Sequence, residues 1–240
     1  MKTELHACFL LHSRPYRETS LLLDVFSSQY GRVSLVARGA KRRNNIQSLL
    51  LQPGRKLNIS WSMKRELGTM ISVEANGPSN TLKGTRLISC FYMNELLVRM
   101  LHRDESHPEL FNIYEESMLQ LDTKYPEDRV LRIFEKHLLK SLGYGLNLEH
   151  DVESGDNIVS EFEYFYRINF GPVRKKPKNV KCLSISGKTL CALAKENDWS
   201  DKISRESKAL FRRILADYTG DKPLGSRELY KAYIAHSLTI

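Results

Sequence analysis

Five short apolar runs, each closed by turn residues, fill the first third of the chain: HACFLLH (6–12), TSLLLDVFS (19–27), RVSLVAR (32–38), KLNISWS (56–62) and TMISVEA (69–75). Runs this short and this closely spaced predict a small sheet closed on itself. Between the third and fourth, Asn45–Leu51 (NIQSLLL) is long enough for two helical turns.

Five strands with a short helix between the third and fourth follow the plan of an OB-fold. That barrel binds single strands or sugars over its second and third strands and in the loops after strands one and four. Alternation along the third run puts Arg32, Ser34, Val36 and Arg38 on one face, and Val33, Leu35 and Ala37 on the other. The second face is wholly apolar and belongs to the core. The first is framed by two arginines and is suited to lie under a phosphate backbone. The first loop supplies Arg14, Tyr16 and Arg17, stiffened by Pro15. The stretch after the third run supplies Lys41, Arg42 and Arg43, and the fourth loop, around Ser62 to Leu67, adds Lys64 and Arg65. These residues form the candidate nucleic-acid-binding set. Single-strand binders also stack bases on aromatic rings; Tyr16 and Tyr30 lie in turns and suit that role, whereas Phe26 and Trp61 lie within strands and read as core.

The charge distribution agrees with that set. The chain carries +9 from 37 Lys+Arg against 28 Asp+Glu. Residues 1–80 hold 12 basic and 5 acidic side chains, residues 81–150 hold 9 and 11, and residues 151–240 hold 16 and 12. A charge serving solubility alone has no reason to favour one segment, whereas a module that meets a polyanion does.

After Asn76-Gly77-Pro78-Ser79 the apolar period changes from two to near 3.6. Leu87–Leu101 is apolar around most of its circumference and predicts a buried helix. A second helix starts at His107-Pro108, and a third opens at Pro126-Glu127-Asp128 and ends at Gly143. On the third, Leu131, Phe134, Leu138 and Leu142 form the expected buried side. Arg132, Lys136 and Lys140 form a basic stripe that Arg129 extends by one turn. A solvated face and a docking face for an acidic peptide or a second stretch of nucleic acid both fit such a stripe. Residues 144–185 read as irregular structure with some strand, including the basic loop RKKPKNVK (174–181), and further helices follow.

Signatures of catalysis are missing. ARGAKRRNN lacks the spacing and closing Lys-Ser/Thr of a P-loop, and neither G-x-S-x-G nor H-E-x-x-H occurs. Cys8, Cys90, Cys182 and Cys191 contain no C-x-x-C pair, and their scatter does not resemble a disulfide framework or a zinc knuckle. His6, Cys8 and His12 share a strand face but make an unusual ligand set. The expectation is a binding protein, not an enzyme, without metal or cofactor. With no signal peptide at the first residues and no apolar run near 18 residues, a cytoplasmic protein with reduced thiols is expected.

Four stretches together resemble the bacterial RecO family of recombination mediators: LHSRPYRETSLLLDVFSSQYGRVSLVARGAKR, FYMNELLVRML, LRIFEKHLLKSLGYGLNL and KPLGSRELYKAY. The likeness keeps the order of segments and covers nearly the full length. It implies an α+β chain: a five-stranded OB-fold barrel over residues 1–79, then a mainly α-helical domain over 80–240 with a small irregular or β insertion at 149–181. Some branches of that family carry a four-cysteine zinc site in the C-terminal part. Here only Cys182 and Cys191 fall there, so a degenerate region without metal, held by packing, is expected.

The resemblance also implies a function. Family members bind single- and double-stranded DNA, anneal complementary strands, and help load the strand-exchange recombinase onto DNA coated by single-stranded-DNA-binding protein. They work with RecR, recognise the acidic, apolar C-terminal tail of the single-strand binder, and are not known as enzymes. Joined to the stripe, this gives Arg132 a role in holding the tail, with Arg129, Lys136 and Lys140 beside it. A cytoplasmic, nucleoid-associated protein without membrane contact follows. The competing class is an adaptor whose basic barrel meets an acidic protein partner and no DNA. A nuclease or ligase-like enzyme built on an OB module lacks the carboxylate cluster or lysine motif it would need.

Overall fold

A computed structural model describes residues 2–42, 46–64, 66–78, 81–220 and 222–237. Five strands, β1 (His6–Tyr16), β2 (Ser20–Ser27), β3 (Gly31–Ala37), β4 (Lys56–Met63) and β5 (Gly68–Ala75), close into a barrel of order β1-β2-β3-β5-β4. This is the expected OB-fold. All pairings are antiparallel except the short parallel contact of Leu35 and Val36 with Gly68 and Thr69. Between β3 and β4 lies a 3₁₀ turn, Ile46–Leu50, shorter than the two α-helical turns that the apolar run suggested.

The interior follows from alternation. Val33, Leu35 and Ala37 point inward with Cys8, Leu10, Leu23, Val25, Leu57, Ile59 and Trp61, all buried. Pro15, expected in a loop, lies within β1 opposite Leu21, at the end of the strand, where proline's missing N–H costs little. β1 is apolar on both faces because its outer face is also covered. Phe9 and Phe26 pack their rings against Phe111 and Tyr114.

Those two rings belong to α2 (Pro108–Leu121), which follows α1 (Gly84–Met100). Contacts divide the chain into two compact units. The first joins residues 1–124 to 223–240; the second is residues 125–222. In the first unit α1 is buried around most of its girth, and α6 (Gly225–Ser237) is tied to it by Glu95. That carboxylate accepts from the backbone N–H groups of Gly225 and Ser226, both at 3.0 Å, and from the Ser226 hydroxyl at 2.7 Å. An anion at a helix N-terminus satisfies donors that the helix itself cannot.

The second unit holds α3 (Glu127–Ser141), the strands β6 (Glu163–Arg167), β7 (Gly171–Val173) and β8 (Cys182–Ser186), then α4 (Gly187–Lys195) and α5 (Asp201–Tyr218). The strands pair antiparallel in the order β7-β6-β8. Asp151 is buried and its carboxylate accepts from the backbone of Glu153, Ser154 and Arg174, so polar contacts as well as packing shape the irregular segment. Among the described residues no His, Cys, Asp and Glu cluster could hold a metal ion, and no helix is long and apolar enough to cross a membrane.

Candidate nucleic-acid interface

One end of β3 is closed and the other is open. At its start, the segment after α1 lies directly on the strand. The Asp104 N–H donates to the Arg32 carbonyl at 3.2 Å, and Gly31, at φ +66°, sits so close that a Cβ there would lie 1.8 Å from the Glu105 carbonyl oxygen. At its far end, Val36, Arg38 and Gly39 form the floor of a groove of about 820 Å³. One wall is the β1–β2 turn, Tyr16 to Ser20; the other is the β4–β5 turn, with Leu67, Gly68 and Thr69; Arg42 completes the lining. The open groove therefore lies over strand three and the loops after strands one and four, the region through which OB barrels hold their ligands.

Sequence-local chemistry shapes each wall. Arg17, at the tip of the first turn, adopts φ +51°, a left-handed conformation uncommon for a side chain of this size and often retained at binding sites. Its guanidinium lies 5.3 Å from the centre of the Tyr16 ring, a cation–π distance. Gly39, at φ +67°, opens the turn that carries Arg42, whose N–H donates to the Gly39 carbonyl at 3.0 Å. The Lys41 N–H donates to the Thr19 carbonyl at 2.9 Å, fastening this turn to the opposite wall. Gly68 fits close beside Leu35 and Trp61; a Cβ would come within 2.6 Å of Leu35 Cδ2.

The groove gathers Tyr16, Arg17, Arg38 and Arg42 from the predicted set. Arg14 and Lys41 are exposed but do not line it. Lys64 is exposed at a separate cavity of about 320 Å³ beside Tyr30, Trp61, Met63 and Asp104. Arg43 and Arg65 lie outside the described residues. Arg32 departs from expectation. Its side chain is only 15% exposed and lies 4.0 Å from Asp24 Oδ1, which also accepts from Ser34 at 2.7 Å. Burial lowers its pKa below the ordinary arginine value, with Asp24 opposing that effect. Arg32 thus shares the face of Arg38 but sits at the closed end, because alternation gives the face and not which part of it another segment covers.

The aromatic reading divides as well. Phe26 and Trp61 are buried, as expected of core. Tyr30 is half-buried, edge-on to Trp61 at 5.3 Å and to His6 at 4.9 Å, and away from the groove. Tyr16 alone of the proposed platforms lines it. The sequence reading missed the hydroxyls of Thr19, Ser20 and Thr69, along with Glu18 and Leu67. For the first two the signal was the run Arg17-Glu18-Thr19-Ser20, small donors directly after a basic tip.

On α3 the basic stripe is not a free face. Arg132 is buried and donates to the buried Glu135 carboxylate at 2.7 Å, with its guanidinium 5.9 Å from the Phe211 ring centre. Arg129 donates to the Glu196 carbonyl at 2.6 Å and Lys136 to the Leu193 carbonyl at 2.9 Å, so both cap the C-terminus of α4. The Glu196 carboxylate also pairs with Lys136 and His137. Its pKa is held low: burial raises it, but the hydrogen bonds and charges of those two partners prevail. Only Lys140 of the four is exposed, and Leu131, expected inside, is only half-buried. The correction has a simple cause: α3 packs against α5 and meets the end of α4, so cations on its second face are absorbed by carbonyls and carboxylates of its own unit.

Residues 1–78 match the family described as Recombination protein O N terminal, and residues 82–228 the one described as Recombination protein O C terminal. A DNA repair protein RecO of Nitrosospira multiformis is 42% identical over 236 residues, which span 97% of this chain and 96% of that protein. Its counterpart in Nitrosococcus oceani is 42% identical over 229 residues, 95% and 93% of the two chains. That of Methylococcus capsulatus is 40% identical over 224 residues, 93% and 91%.

Proposed function

This chain belongs to the RecO family of DNA repair proteins, and on that premise we propose that its barrel groove holds the backbone of single-stranded DNA, and of duplex DNA, during recombinational repair. The observation that carries this reading is the convergence of Arg17, Arg38 and Arg42 with the Tyr16 ring on one open groove between two turns. Guanidinium groups grip phosphates without reading sequence, a ring offers a stacking surface to any base, and the small hydroxyls of the walls add neutral donors. Glu18 sets one repulsive charge among them and steers the phosphates towards the Arg38–Arg42 side.

The wider proposal is a non-enzymatic recombination mediator. It anneals complementary strands and helps load recombinase onto DNA coated by single-stranded-DNA-binding protein, together with RecR. The acidic tail of the single-strand binder goes to α3, where Lys140 is the exposed cation and Arg132 the buried one. Tail binding through Arg132 requires its contact with Glu135 to open.

Fluorescence anisotropy with labelled oligo-dT across a salt series tests the groove. Replacing Arg17, Arg38 and Arg42 together by alanine is expected to flatten the log-affinity against log-salt slope by about 0.7 per lost contact, roughly 2 in all. An unchanged slope overturns the assignment. Binding of an acidic peptide in place of oligo-dT, abolished by the same substitutions, favours the adaptor reading.

A further inference from the structure

The barrel reading leaves unused the basic loop of the second unit. Residues 174–181, RKKPKNVK, join β7 to β8 with five cations and no carboxylate. Lys175, Lys176, Lys178 and Lys181 are all exposed, and none enters an ion pair among the described residues. The strand register fixes the path of this loop. It leaves β7 after Val173, opposite Phe165, and enters β8 at Cys182, opposite Arg167. It therefore crosses from one edge of the three-stranded sheet to the other, two strand spacings or about 10 Å, past the Arg167 end of β6.

An aromatic ring stands at each end of β6. Phe162 precedes β6, and the Arg174 guanidinium lies 3.5 Å from its centre. Phe170, in the β6–β7 turn, is 67% exposed and carries the Arg167 guanidinium 4.7 Å from its centre. Asn169 beside it, at φ +66°, accepts from the Tyr218 hydroxyl at 3.2 Å, which fastens the turn to α5. With Arg167 on one side of the ring, the exposed remainder of the phenyl group is open to a stacking partner. Nearby acids are already engaged: Asp151 by three backbone N–H groups, Glu163 by Lys202 and Glu153 by Arg167.

We propose that this hairpin and its lysine loop are a second, separate binding site for single-stranded nucleic acid. The lysines track the phosphates, and Phe170 receives an unpaired base on its free face. A crossing of about 10 Å matches about three nucleotides at roughly 3.4 Å per phosphate. An acidic protein segment also suits the lysines but gives the ring no task, whereas every base has a π-face. With the barrel groove on the first unit, the chain then holds two strands at once.

The test uses the full chain and non-complementary oligo-dT. Donor- and acceptor-labelled dT strands report bridging by energy transfer, and anisotropy reports capture of a single strand. In a background with Arg38→Ala and Arg42→Ala, adding Lys175→Ala, Lys176→Ala and Lys178→Ala is expected to weaken residual binding at least tenfold. It should also reduce the salt slope by about 2. Phe170→Ala in the same background should weaken binding about tenfold without changing the slope, because stacking releases no counterions, and Phe170→Trp should restore it. With the barrel groove intact, the lysine triple variant should still capture one strand but no longer bridge two. All these positions are exposed, so thermal melting should not move. Bridging and residual affinity equal to the parent's overturn the proposal, as does loss of oligo-glutamate binding with oligo-dT binding unchanged. Failure of the barrel reading differs: there Arg38→Ala and Arg42→Ala change nothing, and the loop variants alone lose binding.

Discussion

Asn94 on α1 donates from Nδ2 to the carbonyl oxygen of Leu11 on β1 at 3.0 Å. Leu11 stands where the β1–β2 register shifts between Leu10 and His12, and a bulged residue is left without its place in the ladder. The Tyr114 hydroxyl in turn donates to Asn94 Oδ1 at 2.5 Å. Burial raises the Tyr114 pKa well above the usual phenol range, so it remains a donor at any physiological pH. Three elements of the first unit thus meet in one buried polar chain. Asn94→Leu keeps the branched shape, strips the donor from a buried carbonyl and removes the acceptor of the Tyr114 hydroxyl. It should lower stability by about 1–3 kcal/mol, read as a lower urea midpoint at unchanged m-value. An unmoved midpoint would show that the bulge satisfies itself.

Gly31 is the tightest point where the segment after α1 meets the barrel. With φ +66° and Glu105 oxygen 1.8 Å from the site of a Cβ, Gly31→Ala must both strain the backbone and displace Glu105. A loss of at least about 1–3 kcal/mol is expected. Hydrogen exchange should localise it to residues 101–107 and the start of β3. A melting temperature equal to wild type contradicts this.

These two contacts show where sequence reading stops. The barrel was legible because alternation in 32–38 and the turn residues between runs are local, and the core residues Val33, Leu35 and Ala37 lie as alternation placed them. The groove was legible in part: Arg17, Arg38 and Arg42 were named, but the cover that hides Arg32 comes from residues more than seventy positions away. The partners of the α3 stripe were hidden for the same reason. Helical periodicity identifies a polar face without revealing that the C-terminus of α4 lies against it.

Arg132 and Glu135 make that point quantitative. Their side chains are 8% and 0% exposed and 2.7 Å apart. Arg132→Ala takes the 2.7 Å cationic partner from a carboxylate that is 0% exposed, and should destabilise the fold by about 3 kcal/mol. Replacing both, Arg132→Met with Glu135→Leu, should recover most of the loss. Lys140→Ala, at an exposed site, should leave stability within about 0.5 kcal/mol of wild type. Chemical denaturation of these variants, with Arg132→Met and Glu135→Leu also made singly, checks this; additivity of the two singles would show that the two charges are not coupled.

Glu95 makes the anchoring of α6 depend on pH. Burial raises its pKa, but hydrogen bonds from the Ser226 hydroxyl and from the Ser226 and Gly225 backbones, with the Arg99 charge, outweigh burial and hold it below its ordinary 4.5. A carboxylate depressed in the folded state adds stability that is present above the unfolded pKa and lost as pH falls through the folded one. Protection of α6 amides from exchange should therefore hold steady at neutral pH and fall below about pH 4.5. In Glu95→Gln it should be weaker at neutral pH and lose that dependence. Equal protection in both proteins at pH 7 would remove Glu95 from this role.

Arg32 and Arg38 lie on the same face of one strand region but in different surroundings. Arg38 is exposed on the groove, so Arg38→Ala should leave stability within about 0.5 kcal/mol of wild type. It should also remove about 0.7 from the slope of log affinity for oligo-dT against log salt. Arg32 is largely buried beside Asp24, so Arg32→Ala should keep the wild-type slope and lose stability. The loss is more than the ~0–1 kcal/mol of a surface pair, because among the described residues Asp24 then keeps the Ser34 hydroxyl and no cation. Lys41→Ala, exposed but off the groove, separates contact with the bound backbone from general attraction. It should reduce the association rate at low salt while changing the slope less than Arg38→Ala does. Stopped-flow binding and urea unfolding of the three variants decide the matter. If Arg32→Ala reduces the slope as much as Arg38→Ala, the bound strand runs over the whole of β3, and the segment at residues 101–107 must move aside to admit it.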